Sequence, residues 1–196
     1  MDRREAIKRT SLMMGMAVSS SVVTGLMQGC STPLREVGWT PSFLSVEQAR
    51  LVGDIAERII PKTDTPGALD QGVDAFIDMI VKECFDSKEQ TMFQEGLTEF
   101  ESKCDEITGK SFAACTTKEQ DKVLGEIEDK QLSAFKENPD PSKKPIYLQI
   151  RELTLLNYFT SETVMTSQFI YEPIPTKLEG CIPMEKGQKA KVGNAF

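Results

Sequence analysis

One stripe of side chains constrains this fold more than any other feature. Val73, Phe76, Ile77, Ile80, Val81 and Cys84 recur at i, i+3, i+4, i+7, i+8 and i+11. That spacing gathers six apolar groups on one side of an α-helix, whereas a strand alternates its side chains with a period of two. Other segments repeat the helical pattern. Ser45-Val46-Glu47-Gln48 reads as a capping box opening a helix with Val52, Ile55, Ala56, Ile59 and Ile60 inward, and Pro61 stops it. Ser87 and Gln90 read as a second box ahead of Phe93, Leu97, Phe100, Cys104 and Ile107, with Gly109 as the C-terminal stop. A fourth helix starts at Thr117-Lys118-Glu119-Gln120 and turns Val123, Leu124, Ile127 and Phe135 inward. The fifth, from residue 146 to about residue 157, is apolar on most of its surface, as Ile150, Leu153, Leu155 and Leu156 show. Such a helix sits at the centre of a bundle or beneath a partner. Tyr158-Phe159-Thr160-Ser161 is read as its break, and Ser161-Glu162 as the cap of a short helix to about residue 168. No segment reads convincingly as a strand. The expectation is an all-α, compact domain of about five to six helices over residues 44–168.

The ends differ from this middle. Residues 169–196 hold three prolines and three glycines without any period, and predict an extended, irregular C-terminal arm that is either disordered or wrapped over something. Residues 31–43 carry two prolines and the only tryptophan, Trp39, and read as a tether. Residues 1–30 open with Arg3-Arg4, continue through an apolar run from about residue 12 to residue 27, and end on Gly29-Cys30. A paired arginine followed by a short uncharged segment describes a bacterial export leader of the twin-arginine type, although Asp2 and Ala6 depart from the usual pattern. The apolar run is about sixteen residues, short of the roughly twenty that span a bilayer. Gly29-Cys30 resembles a lipoprotein processing site. Lipid at Cys30 would then anchor a periplasmic protein to the membrane; the alternative is a plain cleaved leader with an incidental cysteine.

The twin-arginine route carries proteins already folded, which raises the question of a cofactor. The chain contains no histidine. That absence removes the commonest general base, the commonest transition-metal ligand and the usual haem ligand, and excludes a Ser-His-Asp triad. No two cysteines form a CxxC pair, so zinc-ribbon, thioredoxin and c-type haem readings fail. Cys104 and Cys115 are the nearest pair for a disulfide, while Cys84 and Cys104 lie on apolar helix faces and read as buried free thiols. Residues 1–29 hold four of the 23 basic and two of the 30 acidic residues, so the chain after them carries a formal charge of about −9. Such a surface does not fit nucleic acid, whose phosphates need basic partners.

Candidate chemistry is sparse. Asp64 lies in a loop, residues 61–68, shaped by Pro61, Pro66 and Gly67. It could bind a cation or act as a base, but a turn or helix cap is the expected role. Asp70, Asp74 and Asp78 stand at four-residue steps and read as a solvated helix face rather than a metal site. Tyr147, Tyr158 and Tyr171 read as core or interface aromatics. No glycine-rich phosphate loop and no GxSxG is present. By elimination no catalytic, cofactor-binding or metal-binding residue is assigned, and the chain is expected to catalyse nothing alone.

Four stretches, in order, carry a resemblance. They are Ile59-Ile60-Pro61-Lys62-Thr63-Asp64-Thr65-Pro66-Gly67-Ala68 with Gly72-Val73 and Phe76-Ile77-Asp78; Leu153-Thr154-Leu155-Leu156-Asn157-Tyr158-Phe159-Thr160-Ser161-Glu162; Tyr171-Glu172-Pro173-Ile174-Pro175; and Glu179-Gly180-Cys181-Ile182-Pro183. Over roughly residues 44–183 the chain resembles the small subunit, subunit 3, of membrane-bound gluconate 2-dehydrogenase. The resemblance implies a non-catalytic accessory subunit of a sugar or sugar-acid dehydrogenase. In such complexes a large flavoprotein of the glucose-methanol-choline type holds FAD, and a multihaem cytochrome c often passes electrons onward. The small subunit supplies the export signal and stabilises the flavoprotein. On that reading Pro61, Asp64, Pro66, Gly67, Tyr158, Phe159, Ser161, Tyr171, Pro173 and Pro175 mark the partner-binding surface. A stand-alone periplasmic lipoprotein that binds a small ligand is the alternative.

Overall fold

The computed structural model describes residues 34–140, 144–171, 181, 183 and 185–193. Arg3, Arg4, Cys30, Pro173 and Pro175 lie outside the described residues. The chain divides into two units, residues 1–34 and 35–196, and the second is the helical domain.

Among its described residues are six helices: α1 (Val46–Ile59), α2 (Val73–Cys84), α3 (Ser87–Thr108), α4 (Thr117–Glu137), α5 (Ile146–Thr160) and α6 (Glu162–Gln168). Short 3-10 turns occupy Leu69–Gln71 and Phe112–Ala114. The all-α class expected from periodicity is the observed one. α5 touches each of the other five helices, so the most uniformly apolar segment is the centre of the bundle. Phe93, Phe100 and Phe112, with Ile55, Ile77, Leu97 and Ile150, are fully buried around it. Burying each such side chain contributes roughly 1.5–3 kcal/mol. At Gly96 a methyl group would lie 2.9 Å from Cβ of Ile146, so a glycine is what lets α3 and α5 approach this closely.

Caps set the helix ends, though not always where the spacing placed them. Ser45 and Gln48 form the expected box on α1. For α3 the box is Asp86 with Glu89, one residue earlier than the Ser87–Gln90 reading; aspartate accepts from both Lys88 N and Glu89 N. For α4 it is Thr116 with Glu119. Gly109 ends α3 with φ at 69°, the left-handed region that favours glycine. α5 runs three residues past the expected break. Tyr158, Phe159 and Thr160 are helical, and Ser161 terminates α5 by donating its hydroxyl to Tyr158 O at 2.8 Å rather than capping α6.

Two differences concern the ends. β1 (Ile170–Tyr171) pairs in parallel with β2 (Lys191–Val192), a two-residue ladder that no sequence pattern announced. Lys189 Nζ also donates to Ser167 O, so residues 185–193 return to the point where residues 169–171 leave α6. At the other end, residues 35–43 are irregular but packed, not a loose tether. Val37, Trp39 and Phe43 lie partly buried against the core.

Candidate partner-binding surface

The packed strap explains the aspartates of α2. Asp78, 1% exposed, accepts Ser42 N and Ser42 Oγ at 2.9 Å on one oxygen, and Phe43 N at 3.1 Å and Leu44 N at 2.7 Å on the other. Burial pushes its carboxyl up, but these donors together outweigh it and hold the group below its ordinary value. Asp74, also buried, faces the Arg35 guanidinium at 3.3 Å; Asp54 takes the same guanidinium at 2.8 Å. Burial keeps the Asp54 carboxyl above its usual range despite that cation. The solvated-face reading of Asp74 and Asp78 is therefore corrected. At 100° per residue these positions flank Ile77 and Val81 instead of lying opposite them. Asp70 belongs to a different element, the 3-10 turn, set apart from α2 by Gly72 at φ 64°. Among the described residues no cluster of three or more Cys, Asp or Glu could hold a metal ion.

The loop at residues 61–68 is held by carboxylates as well, but not by the expected one. Asp64 is exposed and caps nothing. Glu57 on α1 accepts Lys62 N at 2.9 Å and Leu69 N at 3.0 Å, and Asp70 accepts Gly67 N at 3.1 Å and Lys62 Nζ at 3.0 Å. The Lys62 ammonium first, and then Gly67 N–H, lower the Asp70 carboxyl. A methyl group on Gly67 would lie 2.5 Å from Glu57 Oε1 and 2.8 Å from Lys62 N, so no other residue fits without opening the loop. The buried Tyr158 of α5 donates its phenol to Pro66 O at 2.8 Å. This one bond joins the loop to the end of α5 across 92 positions of sequence.

What the Tyr158 anchor presents is apolar. Leu155 is 38% exposed, Leu156 51% and Phe159 46%, all on the last two turns of α5. The Phe159 ring meets Tyr158 edge-on at 5.3 Å and Phe169 at 6.1 Å, and Ile170 and Tyr171 follow, both exposed. Five exposed large apolar side chains thus lie on the last turns of α5 and in β1. Soluble chains rarely leave so contiguous an apolar run open unless something binds it.

Of the positions expected to meet a partner, Pro61, Asp64, Phe159 and Tyr171 are exposed, Pro66 and Ser161 are half-buried, and Gly67 and Tyr158 are buried supports. Leu155 and Leu156 were not singled out as contact residues. No local signal marks them, because consecutive apolar residues can both be buried, as Val123 and Leu124 are on α4. Tyr147 is a core aromatic: its phenol donates to Glu128 Oε2 at 3.1 Å, and burial first, then Glu128, pushes it up to about 12.

A sequence model of the family described as gluconate 2-dehydrogenase subunit 3 matches residues 46–176. The chain belongs to that family. The match begins at the first residue of α1, spans the 61–68 loop and all six helices, and ends five residues past Tyr171. The family is thus one of subunits of a multi-subunit dehydrogenase, and the exposed run on α5 and β1 lies wholly within the matched region. Neither curated proteins nor solved structures give a match to this chain. Among the described residues of this subunit 3 family member, no helix is long and apolar enough to cross a membrane.

Proposed function

We propose that this chain is the non-catalytic accessory subunit of a periplasmic, FAD-dependent sugar or sugar-acid dehydrogenase. In this reading it supplies the twin-arginine export signal through Arg3 and Arg4, is lipid-anchored at Cys30, and stabilises a glucose-methanol-choline-type flavoprotein carried out folded with it. The observation that carries the proposal is the family match over residues 46–176. The absence of histidine supports assigning the hydride chemistry to the partner. So does the fold, because a dinucleotide pyrophosphate is held by a strand, a glycine-rich turn and a helix N-terminus, and the described sheet has two residues per strand. In this reading FAD belongs to the large subunit, and haem c, where a cytochrome subunit is present, to a third. The flavoprotein docks on Leu155, Leu156, Phe159, Ile170 and Tyr171, with the 61–68 loop as a rigid rim.

The test is capture of the tagged full-length protein from its native host, with an absorbance spectrum of the eluate. A co-purifying chain of larger mass with flavin bands is expected. A colourless single chain would overturn the proposal and favour the stand-alone lipoprotein.

A further inference from the structure

Cys104 and Cys115 are the one pair of described cysteines whose sulfurs touch. Cys104 lies in the last turns of α3, and Cys115 follows the Phe112–Ala114 turn just ahead of the α4 cap. Their Sγ atoms are 3.9 Å apart, both side chains are buried, and both are free thiols. Cys84 and Cys181 are exposed, which for Cys84 corrects the buried reading. Thr108 Oγ1 lies 3.4 Å from the Cys115 sulfur and 3.8 Å from that of Cys104, while donating to Cys104 O at 2.8 Å. Cys115 Sγ also stands 3.4 Å from Ser111 O. The two sulfurs are thus fixed toward each other by the turn that follows Gly109. A bond of about 2 Å needs each to move by roughly an ångström, within the reach of a side-chain rotation.

We infer that Cys104 and Cys115 form a disulfide when the folded chain meets a disulfide oxidant, stapling the α3–α4 connection over the Phe100–Phe112 contact. The Cys115 residue is 5% exposed and Cys104 is fully enclosed, so Cys115 is the one assigned the first step. The Cys115 thiol loses its proton and attacks the oxidant's disulfide, expelling one thiolate and leaving a mixed disulfide. Cys104 then loses its proton, attacks the Cys115 sulfur and expels the second thiolate. Two thiols of the chain are oxidised, one disulfide of the oxidant is reduced to two thiols, and two protons and two electrons are conserved. Burial pushes the Cys104 thiol up to about 12, which keeps it inert until the mixed disulfide stands against it. The staple acts mainly on the unfolded chain, and because the ring closed is short its effect is smaller than that of a long-range disulfide.

The experiment uses the reduced full-length protein, purified and incubated with oxidised glutathione, then alkylated, digested with trypsin and weighed. Cleavage after Lys103, Lys110 and Lys118 separates the two cysteines, so peptides 104–110 and 111–118 should appear as one species, about 2 Da lighter than the sum of the free peptides. The melting temperature should rise by about 6–10 °C. Both changes should vanish in Cys115→Ala, and both should persist in a variant with Cys30, Cys84 and Cys181 replaced by serine. If the two peptides are recovered alkylated and unlinked after an exposure that fully modifies Cys84, the inference is overturned. The outcome does not depend on any flavoprotein, so it stands or falls apart from the proposed function.

Discussion

The strap at residues 35–44 and the exposed end of α5 are built in opposite ways. Beneath the strap the domain buries charge and satisfies it: Asp78 has four donors, and Asp54 and Asp74 share one guanidinium. At the end of α5 the buried Thr154 Oγ1 and Asn157 Oδ1 have no partner among the described residues, and Leu155, Leu156 and Phe159 stand open. The first is a closed contact, whose carboxylates are matched within the chain, although the buried Trp39 Nε1 has no hydrogen-bond partner among the described residues. The second is an unfinished one. A domain that gathers four donors on one buried carboxylate has not left three large apolar groups uncovered for want of means. The contrast separates what this chain needs for its own stability from what it holds for a partner.

The largest expected break in that contrast is Asp78→Ala. It strands four donors, three of them backbone N–H groups of the strap, and should cost about 3 kcal/mol of folding free energy in urea denaturation. Flavoprotein capture by the surviving folded chain should be unaffected, and a loss of binding without a loss of stability would erase the distinction. Leu156→Asp should do the reverse. Stability should hold within about 0.5 kcal/mol, while affinity for the flavoprotein falls tenfold or more, about 1.4 kcal/mol, in a titration of the purified subunits. Tyr158→Phe lies between the two regions. Losing its bond to Pro66 O should cost about 1 kcal/mol in the same denaturation assay and loosen the 61–68 loop, read as faster amide exchange of Ala68 N–H.

The smallest effect is on pH. Asp54 and Glu101 are held above their usual values, chiefly by burial, so the folded state binds their protons more readily than the unfolded one. Stability should therefore rise slightly as pH falls from neutral toward the ordinary carboxylate range. Asp78 and Asp70 are held below theirs, and their contribution is lost as pH falls further, below the ordinary 3.8. Melting temperature against pH should pass through a shallow maximum on the acid side, and Asp78→Asn should blunt the acid limb.

Much of this was legible in the chain itself. Side-chain spacing determined the helices, because burying one stripe is a local requirement that a sequence states directly, and capping placed most of their ends within a residue or two. Proline and glycine marked the 61–68 loop. The absence of histidine, and with it whole classes of chemistry, needs no structure at all. The tertiary structure alone decided which carboxylates are buried, since Asp74 and Asp78 look like solvent-facing residues until a strap distant in sequence supplies the donors. It alone linked Tyr158 to Pro66, brought Lys191–Val192 beside Ile170–Tyr171, and set Cys104 against Cys115. It also divided the leucines of α5 into core and open surface. Each of these depends on a contact between residues far apart in the chain, and a local pattern holds no record of what will arrive from elsewhere to meet it.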